Sequence, residues 1–336
     1  MKAIIANSFG PVENLRIEDR PDPVPAAGQV LIDVAAAAVN YPDILVIGGK
    51  YQVKPPLPFI PGKELAGTVA AVGPNVTKFK PGDRVCSLLE YGAFAERVVV
   101  PSTHCLPAPD DFSLYDAAGI GIAYQTAYFS IHHRGKVQPG ETVIVTGPNG
   151  SVGLATMQLV RAAGAKVIAI VSHADKEEFV RSNGANDVVI FNEGDNPGAF
   201  REKIRALTAG MGANLLIDMV GGELFDACLR SLAWEGRAVI VGFMSGKLPA
   251  IRANYLLVKN ISAIGVQWSD YRDKDPEEMA RVQAIIFRLF KDGKLHFHRM
   301  GLHPFADFLD AFDTLTKRRT TGKMILDFAS HRNAAR

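Results

Sequence analysis

The stretch TVIVTGPNGSVGLATMQLV, residues 142–160, constrains the fold more than any other part of the chain. It runs from β-branched residues through a glycine-rich turn into a helix-like segment. Strand, tight turn, helix is the order that offers unpaired backbone N–H groups and a favourable helix dipole to a phosphate. Gly147, Gly150 and Gly153 bracket the turn, although Pro148 stands where the first glycine of G-x-G-x-x-G belongs. In such a turn Gly150 lets the backbone approach a pyrophosphate, and Gly153 lets the helix that opens at Ser151 and Val152 pack close to the strand. A lone glycine pattern is weak evidence; its context is stronger, because this turn opens a series of alternating strands and helices. Further strands are read at 166–171, 187–190, 215–218, 237–241 and 262–266, with helices at 152–163 and 223–232 between them. Six strands with helical crossovers predict an α/β fold with a parallel, doubly wound sheet and a ligand crevice at its carboxyl edge.

The preceding hundred residues have another texture. Short β segments such as KAIIAN, QVLIDVAAAAVN and LAGTVAAVG are separated by turn signals, which suggests a mostly β barrel or sandwich. GDRV and GAFAERVVVP read as two strands around a glycine-rich turn. After 266 come helices near 277–291 and 305–316 and a final strand, KMILDF.

The chain has 336 residues, enough for two domains. A net charge of +2 gives no reason to expect nucleic acid or an anionic membrane as partner. The apolar start is too short for a signal peptide, and no apolar run reaches the length of a membrane span. Cys86, Cys105 and Cys228 are too widely spaced for a disulfide framework or a zinc knuckle, so a reducing, cytoplasmic location is the default.

The second strand of the series decides which dinucleotide fits. An acidic residue at its end would bind the ribose 2′-OH of NAD and repel a 2′-phosphate. Here the strand ends AIVSHADK. Ser172, His173 and Lys176 suit a 2′-phosphate, with Asp175 as dissenter, so NADPH is the expected cofactor.

With these residues in hand, the chain resembles the zinc-independent medium-chain dehydrogenases/reductases, and within them the NADPH:quinone oxidoreductases. The likeness runs from KAIIANSFGPVENLRIEDRPDPVPAAGQVLIDVAAAAVNYPD through PLPFIPGKELAGTVAAVG, FKPGDRV, the glycine loop and LIDMVGGELFDACLRSLAWEGRAVIVGF to TTGKMIL. It implies a GroES-like domain at 1–122 and 267–336 and a Rossmann domain at 123–266. It also implies a homodimer whose strand region 256–266 pairs across a two-fold axis.

The resemblance also locates departures. The family's loop is A-A-G-G-V-G, against PNGSVG here, and a tyrosine thought to help hold the 2′-phosphate is Asn192. Where zinc-dependent relatives carry a cysteine and a histidine ligand, this chain has Asn40 and Lys63, neither a zinc donor. No metal is therefore expected. Hydride transfer without a Lewis acid favours electron-poor acceptors such as quinones and α,β-unsaturated carbonyls. Gly242, Phe243 and Val266 are expected to wall the nicotinamide, with Thr126 below and Asn40 facing it.

Asp43 either orients Asn40, pairs with Lys63 or is structural. Tyr51, eleven residues after Asn40, matches the offset of the proton-donating tyrosine of medium-chain enoyl-thioester reductases; otherwise it is an aromatic at the rim. Lys63 is expected to contact Asp43 or Glu64 or to face a wet cleft, where it would stabilise a developing oxyanion. The leading expectation is a reductase of quinones or enones. The alternatives are a 2-enoyl thioester reductase and a dinucleotide-binding protein with little turnover.

Overall fold

The computed structural model describes residues 1–317 and 321–330. Its contacts divide the chain into two units, one of 1–122, 269–287 and 297–336, the other of 123–268 and 288–296. The sequence reading gave all of 267–336 to the first unit. Residues 288–296 go with the second for two local reasons: Phe290 packs on Tyr124 at 4.9 Å, and the Gln158 amide bonds the N–H and the C=O of His296, each at 3.0 Å.

In the first unit, β1 (Lys2–Ile5) pairs antiparallel with β2 (Arg16–Asp19). The larger sheet contains β3 (Gln29–Val39), β4 (Glu64–Val72), β5 (Arg84–Leu88), β6 (Arg97–Pro101) and β7 (Cys105–Pro107). Helix α1 (Tyr41–Ile47) follows β3 directly, and α2 (Leu114–Tyr128) follows β7. The alanine run of β3 and Gly67 of β4 allow a close approach, since a Cβ on Gly67 would overlap the Asp33 carbonyl. GDRV and GAFAERVVVP do supply two strands, β5 and β6, but β5 pairs with β4 and β7, whereas β6 pairs with β3. The segment between them is drawn off: Ala93 and Phe94 N–H bond Gly62 and Pro61, and the Phe94 carbonyl accepts from Ile4.

The second unit holds β8 (Thr142–Thr146), α3 (Ser151–Ala162), β9 (Lys166–Val171), α4 (Glu177–Ser182), β10 (Asp187–Ile190), α5 (Pro197–Leu207) and β11 (Ala213–Asp218). It continues with α6 (Gly222–Arg230), β12 (Leu232–Ile240), α7 (Ala253–Lys259) and β13 (Ser262–Gly265). The six strands are parallel in the order β10-β9-β8-β11-β12-β13. The order reverses between β8 and β11, which makes their carboxyl ends the switch point where ligands bind in such sheets. The strand region expected at 256–266 needs correction: Leu256 to Lys259 are helical. Asn260 ends that helix at φ +53, and the Lys259 ammonium donates to the carbonyls of Arg230 and Leu232 at 2.9 and 2.7 Å.

The chain ends with α8 (Ser269–Lys274), α9 (Pro276–Lys291), β14 (Arg299–Pro304), α10 (Phe308–Thr316) and β15 (Lys323–Asp327). β15 pairs with β3, so Met324 lies opposite Val39 and Lys323 arrives beside the end of β3. Each unit has its own core. Phe94, Phe305, Phe312 and Phe328 are fully buried in the first, and Ile144, Leu216 and Phe225 in the second. Each such side chain contributes roughly 1.5–3 kcal/mol.

Candidate functional site

At the end of β8, Gly147 turns the chain at φ +60. The Gly150 N–H closes the turn on the Gly147 carbonyl at 3.2 Å. Pro148 takes the second place of that turn, where its fixed φ is an asset, so the departure from the glycine pattern leaves the turn intact. The N-cap residue Gly150 has no side chain to offer the first turn of α3, and the N–H groups of Ser151, Val152 and Gly153 precede the first possible helical acceptor. A Cβ on Gly153 would overlap the Gly147 carbonyl, which fixes that position as glycine. A Cβ on Gly150 would meet only the Gly147 carbonyl, at 3.5 Å, so its backbone is open to an approaching group. These donors fit a dinucleotide pyrophosphate.

Ser172 and His173 are exposed just beyond β9, and Lys176 follows in a 3₁₀ turn. The Lys176 ammonium lies 3.4 Å from Asp175. Asn192 is exposed beyond β10, its N–H bonded to the Asp195 carboxylate at 2.8 Å. Gly242 and Phe243 follow β12, with Phe243 exposed. Val266 follows β13, its N–H bonded to the Ile240 carbonyl at 3.1 Å. All of these share the carboxyl edge of one sheet with the glycine turn. Thr126 is buried in α2, and its carbonyl accepts the Ser130 hydroxyl at 2.6 Å.

The other candidates lie in the first unit, in a cluster of buried charge. Asn40, Asp43, Lys63 and Glu64 are all buried, and so is Lys323. Asn40 stands between β3 and α1, and its backbone N–H donates to the Asp43 carboxylate at 2.7 Å. The Asn40 amide donates to the Ala38 carbonyl and to Glu64 Oε1, each at 3.1 Å. Its Oδ1 accepts from the Lys323 ammonium. Lys323 also pairs with Glu64 Oε1 at 2.6 Å, and Glu64 Oε2 accepts the Ile122 N–H of α2 at 2.9 Å. Both amide protons of Asn40 are therefore spent inside the protein; towards a ligand it can only accept.

The expected contact of Lys63 with Asp43 or Glu64 is overturned. Its ammonium bonds the Glu90 carboxylate and the Glu90 carbonyl, each at 2.8 Å. Consecutive residues at the head of a strand point to opposite faces, so Lys63 and Glu64 take different partners. Arg272 holds the other Glu90 oxygen at 3.3 Å. The Lys63 ammonium lies 4.4 Å from the centre of the half-buried Tyr51 ring, within cation–π range. Burial pushes the Asp43 carboxyl up to about 7, against the opposing charges of Lys63 and Lys323. Among the described residues, its Oδ1 has no hydrogen-bond partner.

Sequence reasoning missed Lys323, Glu90 and Arg272 and the use made of Glu64. The one signal for Lys323 was a cation at the head of a strand, KMILD, whose next three residues are apolar. Glu90 and Arg272 are 182 residues apart, and nothing local links them.

Comparison with known proteins gives the context. Residues 26–110 match the alcohol dehydrogenase GroES-like domain, and residues 151–284 the family described as zinc-binding dehydrogenase. Asn40 and Lys63 stand where the resemblance places that family's cysteine and histidine ligands. Among the described residues, no three His, Cys, Asp or Glu side chains converge to hold an ion. The mouse quinone oxidoreductase-like protein 2 is 37% identical over 92% of this chain and 87% of its own length. The human quinone oxidoreductase is 33% identical over 84% of this chain and 85% of its own. A mycobacterial structure determined in complex with NADPH superposes with a TM-score of 0.90 at 32% identity, covering 97% of this chain and all of that one. The parallel sheet, the glycine turn and these similarities lead to one assignment: the chain belongs to the quinone oxidoreductase family of the medium-chain dehydrogenases/reductases, oxidoreductases that work with a nicotinamide dinucleotide.

Proposed function

We propose that the chain catalyses NADPH-dependent, metal-free reduction of quinones or other activated α,β-unsaturated carbonyls. The observation that carries this reading is that both side chains at the zinc-ligand positions are engaged elsewhere, Asn40 by Glu64 and Lys323 and Lys63 by Glu90. NADPH, when bound, supplies a hydride, and an electron-poor acceptor takes it without a Lewis acid. The N–H groups of Ser151, Val152 and Gly153 hold the pyrophosphate. Ser172, His173 and Lys176 hold the 2′-phosphate, with Asn192 beside them. Gly242, Phe243, Val266 and Thr126 shape the place of the nicotinamide. Asn40 accepts a hydrogen bond from a hydroxyl through Oδ1. The mycobacterial neighbour solved with NADPH supports the choice of cofactor.

A second reading, reduction of a 2-enoyl thioester, is favoured by the Tyr51 ring under Lys63. There the phenol protonates carbon, a step that a quinone leaves to water. Cys86, Cys105 and Cys228, all free and buried, support a reducing, cytoplasmic setting. The edge position of β13 supports a homodimer, which sedimentation at micromolar concentration tests. Steady-state NADPH oxidation against a quinone panel and a crotonyl thioester tests the function. Oxidation by quinones, undiminished in a strong chelator, is expected. Cofactor binding without oxidation by any acceptor would replace an enzyme with a binding protein.

A further inference from the structure

Thr146 ends β8 and Asp218 ends β11, the two strands at the switch point, and both side chains are 0% exposed. The Thr146 hydroxyl donates to Asp218 Oδ1 at 2.7 Å and accepts the Met219 N–H at 3.0 Å. Asp218 Oδ2 accepts the Gly221 N–H at 2.9 Å, and Oδ1 the Val220 N–H at 3.4 Å. Burial raises this carboxyl while those donors pull it down, and among the described residues no ion pair reaches it.

Main-chain bonds fan out from the same turn. Val241 and Gly242 N–H both bond the Asp218 carbonyl, at 2.8 and 3.3 Å. Met244 N–H bonds Met219, and Ser245 N–H bonds Val220, each at 3.0 Å. On the other side, a Cβ on Gly147 would lie 3.5 Å from a Val220 methyl. The turn 218–221 thus anchors both the glycine turn after β8 and the loop after β12. Its bonds to the loop after β12 are main-chain, and one buried carboxylate, held by the hydroxyl of the residue before Gly147, fixes the turn that presents them.

We propose that Asp218, fixed by Thr146, is the positioning residue of the dinucleotide site: it sets where the Gly147–Val152 turn stands relative to the Gly242–Ser245 loop, and so governs affinity for the cofactor. The proposal rests on the glycine turn being the dinucleotide site. It does not depend on which acceptor is reduced.

The test uses Thr146→Val, which keeps shape and removes the hydroxyl, and Thr146→Ser, which restores it. NADPH and NADH dissociation constants are read by fluorescence titration, with melting curves taken without cofactor. Thr146→Val is expected to weaken both nucleotides at least tenfold and in step, because the pyrophosphate is common to both. Thr146→Ser is expected to stay within threefold of the parent. A Thr146→Val protein that melts lower yet binds both nucleotides as tightly as the parent would reduce the pair to a structural role and overturn the proposal. If Thr146→Val does not fold, Asp218→Asn gives the same reading, since its amide N–H₂ opposes the N–H donors, and unchanged affinity again overturns it. A parent protein that binds neither nucleotide overturns the reading of the site, and this proposal with it.

Discussion

The carboxyl edge of the parallel sheet and the buried cluster around Asn40 are built on opposite plans. The edge offers main-chain N–H groups where one strand, one turn and one helix follow in succession, so its geometry is local. The cluster is made of side chains brought together from afar: Asn40 and Glu64 are 24 residues apart, and Asn40 and Lys323 are 283 apart. A backbone device tolerates an odd residue, as Pro148 illustrates. A closed network of buried charges tolerates none, because each member is the partner that another needs.

The largest expected effect follows from that difference. Lys323→Met removes the cation that faces Glu64 and Asn40 and leaves a buried carboxylate unpaired. It should cost about 3–5 kcal/mol of stability, read from denaturant midpoints. The double variant with Glu64→Gln should recover part of the loss, since neither charge then remains. A loss below about 1 kcal/mol would mean that the cluster is as forgiving as the edge and would break the comparison.

The same contrast explains what the sequence could tell. The parallel strands were readable almost to the residue, because β-branched runs between glycine turns encode them locally. Bounds slipped where register decides, and β11 starts at Ala213, two residues before the expected 215. β12 starts five residues before the expected 237 because Leu232 pairs with Ala213 ahead of a bulge. Residues 256–259 read as strand, since a short apolar run does not distinguish strand from helix. The left-handed cap at Asn260 and the Lys259 contacts settle it as a helix. The partner of Lys63 was out of reach for another reason. Strand alternation sets the face of a side chain, while the identity of what faces it, here Glu90 in the loop after β5, is a tertiary fact.

Next in size is Tyr51→Phe, which asks whether the cluster side of the molecule contributes chemistry as well as stability. A quinone can take its protons from water, so its turnover should change little. A crotonyl thioester needs a proton delivered to carbon and should lose roughly a hundredfold, the usual scale of a general acid. Equal, small effects on both substrates would make Tyr51 a rim aromatic held by Lys63.

Asp43 gives the cluster a pH signature of its own. The folded protein keeps the Asp43 proton up to about pH 7, whereas an unfolded chain releases it in the ordinary carboxylate range. Between those values the folded state binds more protons, so this group's contribution to stability falls as pH rises, and the full cost is present above about 7. Asp43→Asn removes the titration yet keeps an oxygen for the Asn40 N–H. Its stability relative to the parent should therefore improve from pH 5 to pH 8, by on the order of 2 kcal/mol. Parallel stability curves for the two proteins would show that the carboxyl does not titrate in that window.

The smallest effect belongs to the edge and concerns affinity alone. Lys176 sits in the 3₁₀ turn after β9, about one-third exposed, with its ammonium 3.4 Å from the more exposed Asp175. That carboxylate partly cancels the charge available to a 2′-phosphate, and at this exposure the pair adds little to stability. On the proposed reading, Lys176→Glu reverses the charge at a place where only one of the two nucleotides carries a phosphate. NADPH should bind more than tenfold more weakly, about 1.4 kcal/mol, while NADH hardly changes and the melting temperature stays put. Asp175→Asn should act in the opposite sense, tightening NADPH a few-fold at low salt and less at high salt, as screening requires. Equal affinity of the parent for NADH and NADPH would show that Ser172, His173 and Lys176 do not read the 2′-phosphate. The edge would then recognise only what its backbone recognises, the pyrophosphate common to both.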